Sequence, residues 1–145
     1  MKDGDAISLI HRISEDLLSR GEQIKPFLDA ALAHLAQAGM ARGTITLLDT
    51  TSGKLFIEAS HGLSPAQQRR GVYRVGEGVV GQVIERAQPA VVPVVGESPV
   101  FLDRTGARKH LDPDQIAFVC VPIKPYRREV VGPLSVDLGA VTDVS

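Results

Sequence analysis

The chain has 145 residues, with 16 basic and 17 acidic side chains and a formal net charge of −1. Its length is that of one ordinary domain, and the balanced charge gives no electrostatic footprint for a nucleic-acid or membrane surface. One cysteine excludes an internal disulfide and a multi-cysteine metal site. With no signal peptide and no apolar run of membrane-spanning length, we expect a cytoplasmic protein.

Two helices are predicted at the N-terminus. The first, over residues 5–19, carries Ile10, Ile13 and Leu17 on one narrow face. Such a face in water would be an apolar patch of a kind that soluble monomers seldom expose, so we expect a homodimer through it. The alternative is that this face packs on the second helix, which is predicted over residues 23–38 and has an apolar stripe of its own.

Two alternating stretches, GTITLLD and KLFIEASHG, predict an antiparallel hairpin joined by the turn TTSG. In the first stretch, Ile45 and Leu47 face one way and Thr44 and Thr46 the other. In the second, the same alternation places three apolar side chains on one face: Leu55, Ile57 and Ala59.

Two further strands are predicted near the C-terminus, the apolar run over residues 116–124 and its partner VVGPLSVDL. Together with the hairpin they give an α+β fold built on a central antiparallel sheet of about six strands. We expect the N-terminal helices on one face of this sheet, and loops with short helices covering a pocket on the other.

The sequence GEGVVG, which holds Gly76, Gly78 and Gly81, matches the spacing of a dinucleotide-binding turn, with Glu97 near the place of the ribose-binding acid. Against that interpretation, the preceding strand is short and half polar, and Glu77 places a carboxylate where pyrophosphate would lie. The structural alternative assigns the glycines to a tight turn and to close packing of a helix on the sheet. In either case, the first N–H groups of that helix favour an anion or a carboxylate cap.

Residues 90–95 predict a short edge strand, interrupted by Pro93. The polar segment after it shows little periodicity, and a long ordered loop in a compact domain is more often functional than not.

Arg104 and Arg108 in this loop are candidates to bind the carboxylates of a small dicarboxylate, and Thr105 adds a hydroxyl. The alternative is a solvated loop whose arginines pair with Asp103 or Asp112.

Cys120 lies in the apolar sequence VCV, where the neighbouring side chains should raise the thiol pKa and suppress the nucleophilic thiolate. A small packed side chain is therefore the favoured interpretation. The four histidines lie on separate predicted elements without metal-ligand spacing, so we expect no metal site.

The ordered set GTITLLDTTSGKLFIEASHGLS, GVYRVGEGVVGQVIERAQPAVVP, FLDRTG, IAFVCVPIK and VVGPLSVD resembles a GAF domain. More narrowly, it resembles the N-terminal GAF domain of NifA-type nitrogen-fixation activators, including their Vnf and Anf relatives. The similarity covers about Leu28 to Asp137, and its most specific parts are GEGVVGQV, the FLDRTG loop and the CVPIK strand.

This resemblance implies a sensor without a cofactor and without catalysis. In such activators the GAF domain restrains an AAA+ ATPase that remodels RNA polymerase carrying the nitrogen-type sigma factor, while another domain binds DNA. Relatives respond to 2-oxoglutarate, to a PII-type signalling protein or to redox state. For a small effector such as 2-oxoglutarate we expect these ligand-binding residues: Gly78, Gly81, Phe101, Arg104, Thr105 and Arg108.

Two alternatives stay open, a GAF-type methionine sulfoxide reductase that uses Cys120 and a GAF domain that binds a cyclic nucleotide or dinucleotide. The chain lacks the phosphate-loop sequence of an ATPase, and it lacks the N-terminal cysteine cluster of redox-sensing Vnf-type relatives. We therefore expect residues 1–22 to form a dimerisation helix and residues 23–145 to form a GAF domain, as a fragment of a longer regulator.

Overall fold

The computed structural model describes residues 24–124 and 129–139, so the predicted dimer residues Ile10, Ile13 and Leu17 lie outside the described residues. The division of the chain at residue 22 likewise stays a prediction. The described elements, in chain order, are α1 (Ile24–Gln37), β1 (Ala41–Asp49), β2 (Lys54–Ser60), α2 (Pro65–Arg70), β3 (Val72–Arg74), α3 (Gly78–Arg86), β4 (Ala90–Val92), β5 (Ile116–Ile123) and β6 (Gly132–Gly139), with 3-10 turns at Val95–Glu97 and Pro113–Gln115.

The six strands form one sheet in the order β3-β2-β1-β6-β5-β4, and every neighbouring pair is antiparallel. The predicted α+β class and the antiparallel sheet are therefore confirmed. Both edge strands have only three residues. The predicted strand over residues 90–95 ends at Val92, because Pro93 has no N–H with which to continue the ladder.

One face of the sheet is apolar and packs against α1. Leu28, Leu32 and Leu35 are spaced four and three residues apart, which places them on one side of the helix, and all three are buried. They belong to a cluster that also contains side chains from β1, β2, β5 and β6: Ile45, Ala59, Ile123, Leu134 and Val136. At about 1.5–3 kcal/mol for each large buried side chain, this contact fixes the helix on the sheet.

A bulge in the β1–β2 pairing corrects the simple alternation that the sequence predicted for β2. Ile45 pairs with Ala59, but the next residue, Thr46, pairs with Ile57, so Glu58 is an extra residue in the ladder. Ile57 therefore stays on the same face as Leu55, whereas Ala59 turns to the α1 face. An unpaired extra residue shifts the register of a strand by one residue, and such a shift moves the side chains beyond it to the opposite face of the sheet.

The glycine turn before α3 has a structural explanation. Gly76 and Gly78 have φ values of +88° and +65°, which a side chain would strain. At Gly81 a Cβ atom would overlap the carbonyl oxygen of Arg74 on β3, so only glycine allows α3 to approach the sheet this closely. The predicted packing role of these glycines is thereby confirmed.

We expect Gly81→Ala to destabilise the domain by about 1–3 kcal/mol, because the added methyl group must push α3 away from β3. The matched control is Gly139→Ala, at a position where an added Cβ meets no atom within 4 Å. Urea denaturation followed by circular dichroism measures both variants. Equal midpoints for the two would contradict the close-packing explanation.

Candidate ligand-binding site

The second face of the sheet is unusual because it buries polar side chains. Among the described residues, the buried polar and charged side chains are five: Thr44, Thr46, Thr105, Ser135 and Asp137. Four of them lie on the central strands β1 and β6, at positions that alternate with the apolar residues of the α1 face. The side chains of β1 and β6 therefore form a polar floor, which we define as Thr44, Thr46, Ser135 and Asp137.

Buried hydroxyl groups destabilise a fold unless hydrogen bonds satisfy them. Thr44 Oγ1 and Ser135 Oγ lie 2.6 Å apart, and the two residues face one another in the β1–β6 register. Every buried side-chain nitrogen and oxygen among the described residues has a hydrogen-bond partner. The polar floor is thus ordered before any ligand binds.

Asp137 is the centre of an ion-pair cluster and is 0% exposed. Arg108 binds it in bidentate fashion, with Nε donating to Oδ2 at 2.7 Å and Nη2 donating to Oδ1 at 2.6 Å. Arg42 Nε also donates to Oδ2. Arg42 has a φ of +47° and lies where the β1–β6 register shifts, so an irregular backbone brings this guanidinium to the carboxylate.

The Arg108 guanidinium is held on several sides. Its Nη1 donates to Asp103 Oδ1 at 2.9 Å, and its Cζ lies 5.0 Å from the ring centre of Phe101 and 5.4 Å from that of Phe118. Burial alone lowers its pKa, but the hydrogen bonds and charges of Asp137 and Asp103 raise it by more. Arg108 therefore remains a cation inside the domain.

A cavity lies above the polar floor, beneath the loop that carries Arg108. It has a volume of about 30 Å³, which is room for a water molecule but less than a dicarboxylate needs. Its walls include three hydroxyl residues of the sheet, three aromatic residues and the loop residues beside them: Thr44, Thr46, Ser135, Tyr73, Phe118, Phe101, Asp103, Thr105 and Arg108. The charged groups at the cavity are paired with one another, with Arg108 bound to both Asp103 and Asp137.

A second hollow of about 170 Å³ lies beside α3 and β4 and is more open. Its lining holds Gln82, Arg86 and Gln88 among apolar side chains, and none of the five buried polar residues. The polar cavity is thus the better candidate for a specific ligand site.

The family follows from comparison with known proteins. The family model described as "GAF domain" matches residues 23–143. The chain belongs to the GAF family.

Two relatives of this GAF domain are named as a nitrogen fixation protein and a Nif-specific regulatory protein. It is 36% identical to nitrogen fixation protein VnfA of Azotobacter vinelandii over 92% of the chain and 26% of that protein. It is 35% identical to a Nif-specific regulatory protein of Herbaspirillum seropedicae over 88% of the chain and 22% of that protein. The chain spans about a quarter of the length of these relatives, so it is similar to one part of longer regulators.

Solved structures show the same fold. The GAF domain of A. aeolicus nlh2 in an inactive state is 25% identical, with a TM-score of 0.73 over 92% of this chain and 78% of that one. A free methionine-R-sulfoxide reductase of Neisseria meningitidis, solved with its substrate, has a TM-score of 0.65 over 99% of this chain and 81% of that one. That reductase is 20% identical, a likeness that shows the GAF fold alone.

The GAF domain brings together three of the predicted ligand residues, since Phe101, Thr105 and Arg108 all line the cavity. Arg104 does not line it: Nη1 donates to the Val72 carbonyl at 2.9 Å and pairs with Glu77 at the surface. Whether any of these residues binds a ligand stays a prediction. Arg108 also pairs with Asp103, as the structural alternative in the sequence analysis anticipated.

Gly78 and Gly81 also lie outside the cavity lining. A Cβ atom at Gly78 would press on the side chain of Leu102, and Gly81 faces the backbone of β3, so both glycines pack against the chain itself. Glu77 is at the N-cap position of α3 but makes no side-chain cap hydrogen bond, since its carboxylate pairs with Arg104. The expected carboxylate cap is therefore not formed.

Sequence reasoning missed Tyr73, Ser135 and Asp137 as members of the site. For Ser135 and Asp137 a signal was present, because both alternate with Leu134 and Val136 in the strand predicted to pair with the apolar strand over residues 116–124. Polar residues at inward positions of a central strand are either hydrogen-bonded to one another or part of a site. Here they are both.

Among the described residues, no helix has the length and apolar character required to cross a bilayer. The same part of the chain contains no group of three histidine, cysteine, aspartate or glutamate residues placed to hold a metal ion.

We expect Arg108→Ala to destabilise the domain by about 3 kcal/mol, because it leaves a buried carboxylate with one guanidinium in place of two. The matched control is Arg104→Ala, which removes a partly exposed pair and should cost less than about 1 kcal/mol. Urea denaturation gives both values. A larger loss for Arg104→Ala than for Arg108→Ala would contradict the assignment of Asp137 as the buried anchor.

The reactivity of the Cys120 thiol tests the alternative that the protein is a methionine sulfoxide reductase. Its side chain is fully buried, and burial raises the pKa of the thiol to about 12. We expect no reaction of the native protein with a disulfide reagent such as 5,5′-dithiobis(2-nitrobenzoate) between pH 7 and 9, because the thiolate is not formed there. In denaturant, one thiol per chain should react. Rapid labelling of the native protein would instead favour catalysis at Cys120.

Proposed function

We propose that this chain is the sensory domain of a nitrogen-fixation transcriptional activator, and that it binds a small carboxylate effector such as 2-oxoglutarate. The bound effector controls an adjacent AAA+ ATPase of the same full-length protein. The observation that supports this most is that four of the five buried polar side chains of the described residues line one cavity together with Arg108, which pairs with the fifth, Asp137. The names of the sequence relatives support the regulatory role.

The chemistry of the cavity suits a carboxylate with a polar chain. A planar guanidinium binds carboxylates at defined angles, and Arg108 presents one that remains charged although it is largely buried. The hydroxyl groups of Thr44, Thr46 and Ser135 can donate to a carbonyl or carboxylate oxygen and accept from a hydroxyl group. The rings of Tyr73 and Phe118 cover the methylene part of such a molecule.

Control of a neighbouring domain needs two arrangements of the site that differ in effector affinity. In this proposal the closed arrangement has a cavity that holds little more than water, and the small volume of the cavity supports that assignment. The effector stabilises an open arrangement in which part of the loop over residues 98–112 moves away. β6 transmits the difference, since Asp137 lies two residues before the end of that strand.

The remaining partners belong to the same proposal. A PII-type protein acts on the same regulatory domain, and the chain forms a homodimer through Ile10, Ile13 and Leu17. The protein works in the cytoplasm, and DNA is contacted by another part of the full-length regulator.

Isothermal titration calorimetry of the 145-residue protein with 2-oxoglutarate tests effector binding. We expect measurable binding by the unchanged protein and about tenfold weaker binding by Arg108→Lys, since lysine keeps a charge near Asp137 but loses the forked geometry. Arg104→Ala is the comparison, because that side chain stands outside the cavity lining. Equal affinity of the unchanged and Arg108→Lys proteins would refute a role of Arg108 in the binding of 2-oxoglutarate.

A further inference from the structure

We infer that Asp103 is an internal competitor of the effector: its carboxylate occupies Arg108 in the closed form, and an effector carboxylate takes its place. This inference rests on the proposed function and names the event by which the site opens. It also assigns a role to a residue that the sequence suggested only as a structural ion-pair partner.

The two carboxylates on Arg108 differ in their surroundings. Asp137 is 0% exposed, belongs to a central strand and binds both Nε and Nη2. Asp103 is 26% exposed, belongs to a loop and binds only Nη1. Transfer of a buried carboxylate away from its partners costs far more than transfer of one already in contact with water. Asp103 is therefore the carboxylate that an incoming anion can replace.

The charge balance of the ion-pair cluster favours replacement of the Asp103 carboxylate by the effector over binding of the effector beside it. Arg42 and Arg108 supply two positive charges, and Asp137 and Asp103 supply two negative ones. A further carboxylate would leave this largely buried cluster with an uncompensated negative charge, which a medium of low polarity strongly disfavours. Exchange of the Asp103 carboxylate for one of the two carboxylates of the effector leaves the charge paired with Arg108 unchanged.

Movement of Asp103 involves the residues just before it. Asp103 has a φ of +46°, in the left-handed region that aspartate adopts more often than most residues with a side chain. Val100 and Leu102 are large apolar side chains that remain exposed, whereas Phe101 between them packs edge-to-face on Phe118 with ring centres 4.9 Å apart, so opening here requires Phe101 to leave that ring. Beyond Asp103 the loop is anchored, because Arg70 Nε donates to the Thr105 carbonyl at 3.1 Å and Arg104 binds the Val72 carbonyl.

Phe101, Leu102 and Asp103 form part of the cavity wall, so movement of residues 100–103 alone would enlarge the cavity. Arg108 and the polar floor would stay in place, held by Asp137. The competing carboxylate also raises the effector concentration that is needed to fill the site. The apparent affinity for the effector decreases when fewer molecules have a free Arg108. A neutral molecule cannot replace Asp103, so the same contact selects for anions.

The test is Asp103→Asn in the 145-residue protein, titrated with 2-oxoglutarate by calorimetry. Asparagine keeps the size of the side chain and removes its charge. We expect about tenfold tighter binding than by the unchanged protein, because the competitor for Arg108 is weakened. The dimethyl ester of 2-oxoglutarate, a neutral probe, should show no such gain.

Two matched controls separate this effect from others. Asp112→Asn removes one negative charge from the same loop at an exposed residue that contacts no arginine and keeps its 3-10 cap. Glu77→Gln breaks the other arginine–carboxylate pair of the loop, outside the cavity. Both should bind 2-oxoglutarate within about twofold of the unchanged protein. A tenfold gain in either control would overturn the assignment to Asp103.

The remaining outcomes distinguish this inference from the proposed function. If the unchanged protein binds 2-oxoglutarate and Asp103→Asn binds it equally or more weakly, the competitor role is refuted and the proposed function stands. If Asp103→Asn binds and the unchanged protein does not, the inference is supported in its strongest form. If neither protein binds while both are folded by circular dichroism, 2-oxoglutarate is not the effector, and both proposals fail for this ligand.

Discussion

The contact on which the site depends is the buried carboxylate of Asp137 with its two guanidinium partners. A charge at the centre of a sheet is tolerated only when it is paired and hydrogen-bonded on most sides. Arg42 approaches from the irregular start of β1 and Arg108 from the loop over the sheet, so the carboxylate joins parts of the chain that are 95 and 29 residues away in sequence. The position of the loop, and hence the shape of the cavity, follows from this one residue of β6.

The general fold could be predicted because the sequence patterns that indicate its strands and helices lie within each element. Alternation in β1 placed Thr44 and Thr46 opposite Ile45 and Leu47, and the structure separates them in that way between the cavity and the α1 face. The bulge at Glu58 carries no comparable signal, since an extra residue in a ladder depends on the strand beside it. The ion-pair cluster was missed for a similar reason. The alternation of Asp137 with apolar residues marks it as an inward position, but nothing local to β6 indicates that Arg42 and Arg108 are its partners.

The glycine turn shows how one pattern can fit two structures. The spacing of GEGVVG is shared with nucleotide-binding turns, in which the glycines make room for a pyrophosphate. In this chain the space at Gly81 is filled by the Arg74 carbonyl of the neighbouring strand, and the side chain of Leu102 lies against Gly78. What decides between the two is the atom that occupies the space of the missing Cβ. Only the tertiary structure supplies that atom, and here it belongs to the protein.

The same strands that carry the polar floor also carry the apolar face, so a change at the site can act on the packing of α1, as the proposed regulatory function requires. On β6, Ser135 lines the cavity and Asp137 pairs with Arg108 beside it, while Leu134 and Val136 pack against α1. A shift of this strand by one residue would exchange the two faces, so the strand can respond to the site only by small displacements. Coupling between sites in regulatory proteins typically amounts to about 1–3 kcal/mol, similar to the 1.5–3 kcal/mol of one hydrogen bond to a charged group. In the proposed exchange one carboxylate replaces another on Arg108, so the free energy available to shift the two arrangements is the difference between these two contacts and is at most on that scale.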